Sequence, residues 1–185
     1  MTLFRGAQVV SNKKLHIKDE SAMLLFGAQL AQATFADAAT SLAEVCTGQG
    51  VPTMGGTLHL HGDLGAGKTS LTRGILRGYG YPGAVKSPSF TLVEPYEFKH
   101  CKLYHFDFYR LDDPEEVEFL GVGDYFSPEN LCIVEWAERG IGAIPPPDLR
   151  VDIEIEGTGR LLGCQSNSKK GEAIAKRLWA SGRNL

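Results

Sequence analysis

The chain has 185 residues, 43% hydrophobic and 22% charged, enough for one domain with a sizeable core and too ordinary in composition for a disordered chain. Nineteen basic against twenty-two acidic side chains leave a formal charge of −3, which argues against a general polyanion coat and leaves room for a local basic patch. No stretch approaches the ~18 unbroken apolar residues of a membrane span, and the opening MTLFRGAQVVSNKK lacks the apolar core of a signal peptide, so no membrane span and a cytoplasmic location are expected.

Residues from about Asp19 to Cys46 predict a helix, because Leu24, Leu25, Ala28, Leu30, Ala31, Phe35, Ala38, Leu42 and Val45 recur at threes and fours. Asp19 or Ser21 can cap it. The stretch 48–56 (GQGVPTMGG) predicts a loop, Thr57 to His61 a strand, and Ser70 to Gly78 a second helix. A loop over 83–89 leads to strands over 91–96 and 102–109, and Asp113-Pro114-Glu115-Glu116 marks a helix start. Leu131 to Glu135 predicts a buried strand, Pro145 to Pro147 a break, and 151–156 with 160–165 a hairpin before a last helix, Lys169 to Ala180. Strands mixed with helices imply an α/β layer fold. Cys46, Cys101, Cys132 and Cys164 form no Cys-x-x-Cys pair, so they signal neither a zinc site nor a redox dithiol. His59 and His61 share a strand face, which needs no metal, and no histidine is assigned a role.

Between the strand and the second helix lies Gly62-Asp63-Leu64-Gly65-Ala66-Gly67-Lys68-Thr69, a full match to GxxxxGK[ST]. Chance produces such a match about once in a few hundred chains of this length, and here it sits between a predicted strand and helix, as its mechanism requires. The glycines permit torsions that aim N–H groups at an anion, and the helix start adds donors and a positive dipole end. Lys68 is placed to reach the β- and γ-phosphates and Thr69 to bind Mg²⁺. The pattern thus points to a nucleoside triphosphate.

Magnesium needs a second anchor, normally a carboxylate ending a buried strand. Glu135 ends Leu131-Cys132-Ile133-Val134, and Asp107 lies in Tyr104 to Tyr109, where alternation groups His105, Asp107 and Tyr109 on one face. Either carboxylate can orient the attacking water; spacing does not choose. In Lys86 to Thr91 (KSPSFT), Pro88 holds Ser87 extended, leaving Ser87, Ser89 and Thr91 to offer hydroxyls to a γ-phosphate or its metal.

Four blocks, GDLGAGKTSLTRG (62–74), VKSPSFTLVEPYE (85–97), LYHFDFYRLDDPEEVEFLGVGDYF (103–126) and IVEWAERG (133–140), resemble the TsaE family, formerly YjeE. Near-continuous resemblance runs from about Thr57 to Pro147, with a weaker stretch over 17–31. It implies a three-layer P-loop NTPase fold with a mixed, mainly parallel central sheet. The organisation expected is one domain over 1–185: an N-terminal helix with an extra segment and loop (17–56), a nucleotide-binding core (57–147), and a C-terminal hairpin and helix (148–185). It also implies Mg²⁺-dependent ATP hydrolysis with TsaB and TsaD, supporting threonylcarbamoyl transfer to adenosine 37 of tRNAs that read codons beginning with A. Contact with tRNA would then be indirect. Carried over residue by residue, Gly65 to Ser70 bind phosphates, Thr69 and Glu135 ligate Mg²⁺, and Asp107 stands near the metal. Thr91 matches the switch-loop threonine, Trp136 a tryptophan near the nucleotide, and Glu20 lies near the base.

Two departures stand out. About twenty extra residues, roughly 32–55, separate the first helix from the strand before the phosphate loop. From Arg160 onward the tail holds six basic side chains and one acid, read as a solvated helix face, with tRNA phosphates or an acidic partner face as the alternative. A small-molecule kinase using Asp107 as base, and a nucleotide-gated binding protein, are the other function classes the motif admits. No arginine finger is evident, so an isolated chain is expected to be slow and a partner to complete the site.

Overall fold

The computed structural model describes residues 9–180. Its elements in chain order are β1 (Val9–Ile17), α1 (Glu20–Ala33), β2 (Gly56–His61), α2 (Lys68–Gly78), β3 (Val93–Glu97), β4 (Lys102–Asp107), α3 (Glu115–Phe119), α4 (Val122–Tyr125), β5 (Leu131–Glu135), β6 (Leu149–Glu156), β7 (Gly159–Ser166) and α5 (Lys169–Ala180). The strands form one sheet in the order β1-β7-β6-β2-β5-β4-β3. Its core is parallel, β2 lying between β6 and β5 and β5 beside β4. The antiparallel neighbours β7 and β1 extend one edge, and β3 closes the other.

Alternation along the strands sorts side chains to two faces. Leu58 and Leu60 of β2, Leu103 of β4 and Leu131 and Ile133 of β5 meet α1, α2 and α5 in the larger core. Tyr104, Phe106, Cys132 and Val134 point the other way, into a smaller core closed by Phe108, Leu111, Val117 and Ala137. The result is the α/β three-layer arrangement that the sequence implies, with a mixed sheet, a parallel centre, and one helical layer reduced to short helices.

The first helix is shorter than its periodicity predicts. It ends at Ala33, where Thr34 caps it by donating its hydroxyl and N–H to the carbonyl of Ala31. Phe35 then forms a bridge with Thr53, and Leu42 and Val45 pack on the core from a loop containing the short 3-10 helix Leu42–Glu44. Leu42 and Val45 continued the hydrophobic spacing without continuing the helix. Strand β1 carries no sequence signal of its own, because Asn12, Lys13 and Lys14 break the apolar alternation. Charged residues suit an edge strand of this kind. The last helix and the β6–β7 hairpin lie where the spacing places them.

Helices α1 and α2 cross almost backbone to backbone. A Cβ on Gly74 would stand 2.5 Å from the carbonyl oxygen of Leu24, and one on Gly27 would stand 2.6 Å from that of Leu71. This contact ties α1, which carries Glu20, to the helix that the phosphate loop starts. Gly74→Ala gains helix propensity of roughly 1 kcal/mol. Forcing two backbones apart outweighs that gain, so we expect a net loss of about 1–3 kcal/mol, seen as a lower urea midpoint. An unchanged midpoint would mean that the helices separate at no cost.

Candidate functional site

The carboxyl edge of the parallel strands gathers the predicted residues. Strand β2 runs into the glycine loop, which runs into α2, and the end of β2 lies beside the ends of β5 and β4 in register. Leu60 is opposite Glu135, and Glu135 is opposite Asp107. Gly65 and Gly67 take φ of 79° and 108°, left-handed values that a side chain would resist. Gly67 is the cap residue of α2, so the first free N–H groups of that helix face the loop.

Lys68 folds back over the loop. Its ammonium donates to the carbonyls of Gly62 at 2.6 Å and Asp63 at 3.0 Å, and lies 4.1 Å from the centre of the Trp136 ring. Burial lowers its pKa from the ordinary lysine range, against the opposing pull of the Glu135 and Asp107 carboxylates. Trp136 reaches this position through a left-handed backbone, φ 57°, directly after Glu135. For a bulky residue that conformation is strained and recurs where function fixes it.

Thr69 donates its hydroxyl to Glu135, 3.0 Å from Oε1 and 3.2 Å from Oε2. Glu135 is buried, and its Oε1 also meets Nε2 of the fully buried His105 at 2.8 Å. Asp107, buried on the neighbouring strand, accepts from the Ser87 hydroxyl and from the N–H of Tyr109 at 2.9 Å. One hydroxyl and one carboxylate are thus in contact, with a second carboxylate on the adjacent strand. Mg²⁺ takes such a set from a protein when phosphate oxygens and water complete its octahedron.

Glu20 opens α1 and accepts from Arg73 at 2.8 Å and Ser70 at 3.4 Å. A cleft of about 250 Å³ runs beside the loop, lined by Glu20, Met23, Gly65, Gly67, Ser70 and Arg160. Ala66 is fully buried, while Leu64 is 68% exposed at the rim. Asp63 contributes its carbonyl to Lys68 and to the N–H of Ala66. Ser87 joins the site, but Thr91 is exposed in the turn before β3 and is brought to neither carboxylate.

Two residues of the site went unrecognised in the sequence. His105 was grouped correctly with Asp107 by alternation, yet its bond to Glu135 depends on strand pairing. Arg160 is not part of a solvated helix face: it lies on β7 and donates to the loop carbonyls of Ala66 at 2.8 Å and Gly65 at 3.1 Å. Further along the tail, Arg177 donates to the carbonyl of Phe35 and Lys170 to that of Pro128, so these cations also hold the chain's own backbone.

The sequence model of the family described as "Threonylcarbamoyl adenosine biosynthesis protein TsaE" matches residues 17–162. The chain belongs to the TsaE family. The TsaE-named protein "tRNA threonylcarbamoyladenosine biosynthesis protein TsaE" of Haemophilus influenzae is 42% identical over 159 residues, covering 86% of this chain and 92% of that protein. Its Synechocystis namesake is 46% identical over 90 residues, 46% of this chain and 57% of that protein. The crystal structure of Bacillus subtilis YdiB superposes with a TM-score of 0.71 at 27% identity, covering 95% of this chain and 99% of that one. The TsaE match contains the whole edge from the β2 loop to Trp136, and it ends two residues beyond Arg160.

Proposed function

We propose that the chain is a Mg²⁺-dependent ATPase of tRNA threonylcarbamoyladenosine biosynthesis, supporting threonylcarbamoyl transfer to adenosine 37 together with TsaB and TsaD. One observation carries the nucleotide chemistry: the phosphate-loop Thr69 hydroxyl is bonded to the strand-end carboxylate of Glu135, beside Lys68. The family's printed description supports the pathway.

Thr69 and Glu135, with Asp107 adjacent, would hold Mg²⁺, which when bound neutralises phosphate charge. Lys68 supplies a fixed positive charge for the β- and γ-phosphates, and the N–H groups at the start of α2 bind their oxygens. Either Asp107 or Glu135 orients water for attack. The cleft beside Glu20 and Gly67 accommodates the nucleoside. His105 holds the Glu135 carboxylate in one orientation, as outer partners of metal-binding groups do.

The test is ATP hydrolysis with and without Mg²⁺, by the purified chain alone and with TsaB and TsaD added. We expect slow turnover alone and a rise of about tenfold or more with the pair, as when a partner completes a phosphoryl-transfer site. Equal rates would mean that the site is complete in isolation, and would shift the reading toward a small-molecule kinase.

A further inference from the structure

Inside the phosphate loop, Lys68 holds the carbonyls of Gly62 and Asp63, and the Ala66 N–H donates to the Asp63 carbonyl. Gly65 and Gly67 carry no side chain, and the space where a Gly65 Cβ would stand is open. Arg160, brought alongside by the β6–β7 hairpin, spans this loop from outside. Its Nε donates to the Ala66 carbonyl at 2.8 Å, its Nη2 to the Gly65 carbonyl at 3.1 Å, and its Nη1 to the Gly159 carbonyl at 2.7 Å. A planar trans peptide directs its C=O and the following N–H in opposite directions. Holding the Ala66 carbonyl outward therefore turns the Gly67 N–H inward, toward the place of an anion.

The charge of Arg160 points the same way. All its bonds run to neutral carbonyls, and among the described residues it forms no ion pair. The nearby Glu20 carboxylate is engaged by Arg73, and Asp19 caps α1 by accepting from the Ala22 N–H. A fixed guanidinium beside a phosphate loop thus has no carboxylate in direct contact with it. We propose that Arg160 is a positioning residue of the nucleotide site: a clamp that fixes the outer carbonyls of the phosphate loop and sets a positive charge beside the bound polyphosphate. The proposal rests on the ATP reading above.

The experiment compares the full-length chain with Arg160→Gln and Arg160→Lys, measuring Mg-ATP, ADP and AMP binding by calorimetry and hydrolysis by steady-state kinetics. Arg160→Gln is expected to weaken ATP and ADP about tenfold or more and to raise KM alike, while AMP and the kcat at saturation move less than about threefold. Arg160→Lys, which keeps the charge and loses the fork, should fall between. Wild-type ATP affinity in Arg160→Gln overturns the proposal, as does an equal loss for ATP and AMP, which would mark a general collapse or place Arg160 against the nucleoside in the cleft it lines. If Arg160→Gln does not fold, Arg160→Lys decides: weakened ATP with unmoved AMP supports the clamp, and unchanged ATP affinity overturns it. Failure of the unsubstituted chain to bind ATP would instead remove the ATP reading itself, and the clamp with it.

Discussion

Lys68→Ala is expected to abolish ATP turnover and to weaken ATP binding by about a hundredfold, the scale of losing a charge-assisted hydrogen bond in a partly dry site. The ammonium is already gathered over the loop by the carbonyls of Gly62 and Asp63 and by the Trp136 ring. ATP would therefore meet a pre-positioned cation rather than recruit a mobile one, so little ordering cost offsets the attraction. The substitution removes no carboxylate partner, since no salt bridge to Lys68 exists among the described residues. The variant should therefore fold, and a melting curve checks that. Full turnover in a folded Lys68→Ala chain would end the phosphate-loop assignment.

Substitution of either strand-end carboxylate is the second large effect. Glu135→Ala and Asp107→Ala should each lower turnover more than about tenfold, over 1.4 kcal/mol of transition-state stabilisation. The two differ in what else they disturb. Loss of Glu135 strands the Thr69 hydroxyl and the buried Nε2 of His105, so its alanine variant should also lose stability, because a buried unpaired donor costs about 1–3 kcal/mol. Glu135→Gln keeps an oxygen and the side chain's shape while removing the charge, and its Mg²⁺ requirement for hydrolysis should rise with less effect on folding. Loss of Asp107 frees Ser87 and the N–H of Tyr109, loosening the segment before β3. A Mg²⁺ titration of the variants separates these roles, and normal turnover in either alanine variant would take that residue out of the metal site.

The site was legible in the sequence wherever covalent neighbours fix its geometry. Lys68 and Thr69 follow the glycines they work with, and Glu135 closes an apolar strand, so spacing alone places them at the carboxyl edge. Arg160 was not legible, because it reaches Gly65 across 95 residues and does so only once the β6–β7 hairpin lies beside β2. The partnership of His105 with Glu135 likewise needs β4 and β5 paired in register. In the fold, the helical spacing of α5 matches the helix that packs on β6, β7 and α1. Patterns failed where loop residues happened to continue a helical stripe, as Leu42 and Val45 do, and where a lysine-bearing edge strand had little apolar alternation to show.

The segment between α1 and β2 closes on itself. The N–H of Met54 donates to the Thr34 carbonyl, that of Ala36 to the Pro52 carbonyl, and Tyr79 bonds the Thr34 hydroxyl from the end of α2. Its two ends thus stand side by side, while Leu42 and Val45 pack on the core between them. Lengthening the exposed tip around Asp37 to Ala39 would cost only closure entropy, about 0.6 kcal/mol per doubling. That tip is a natural handle: a fluorescent or affinity module spliced there would travel with the folded chain.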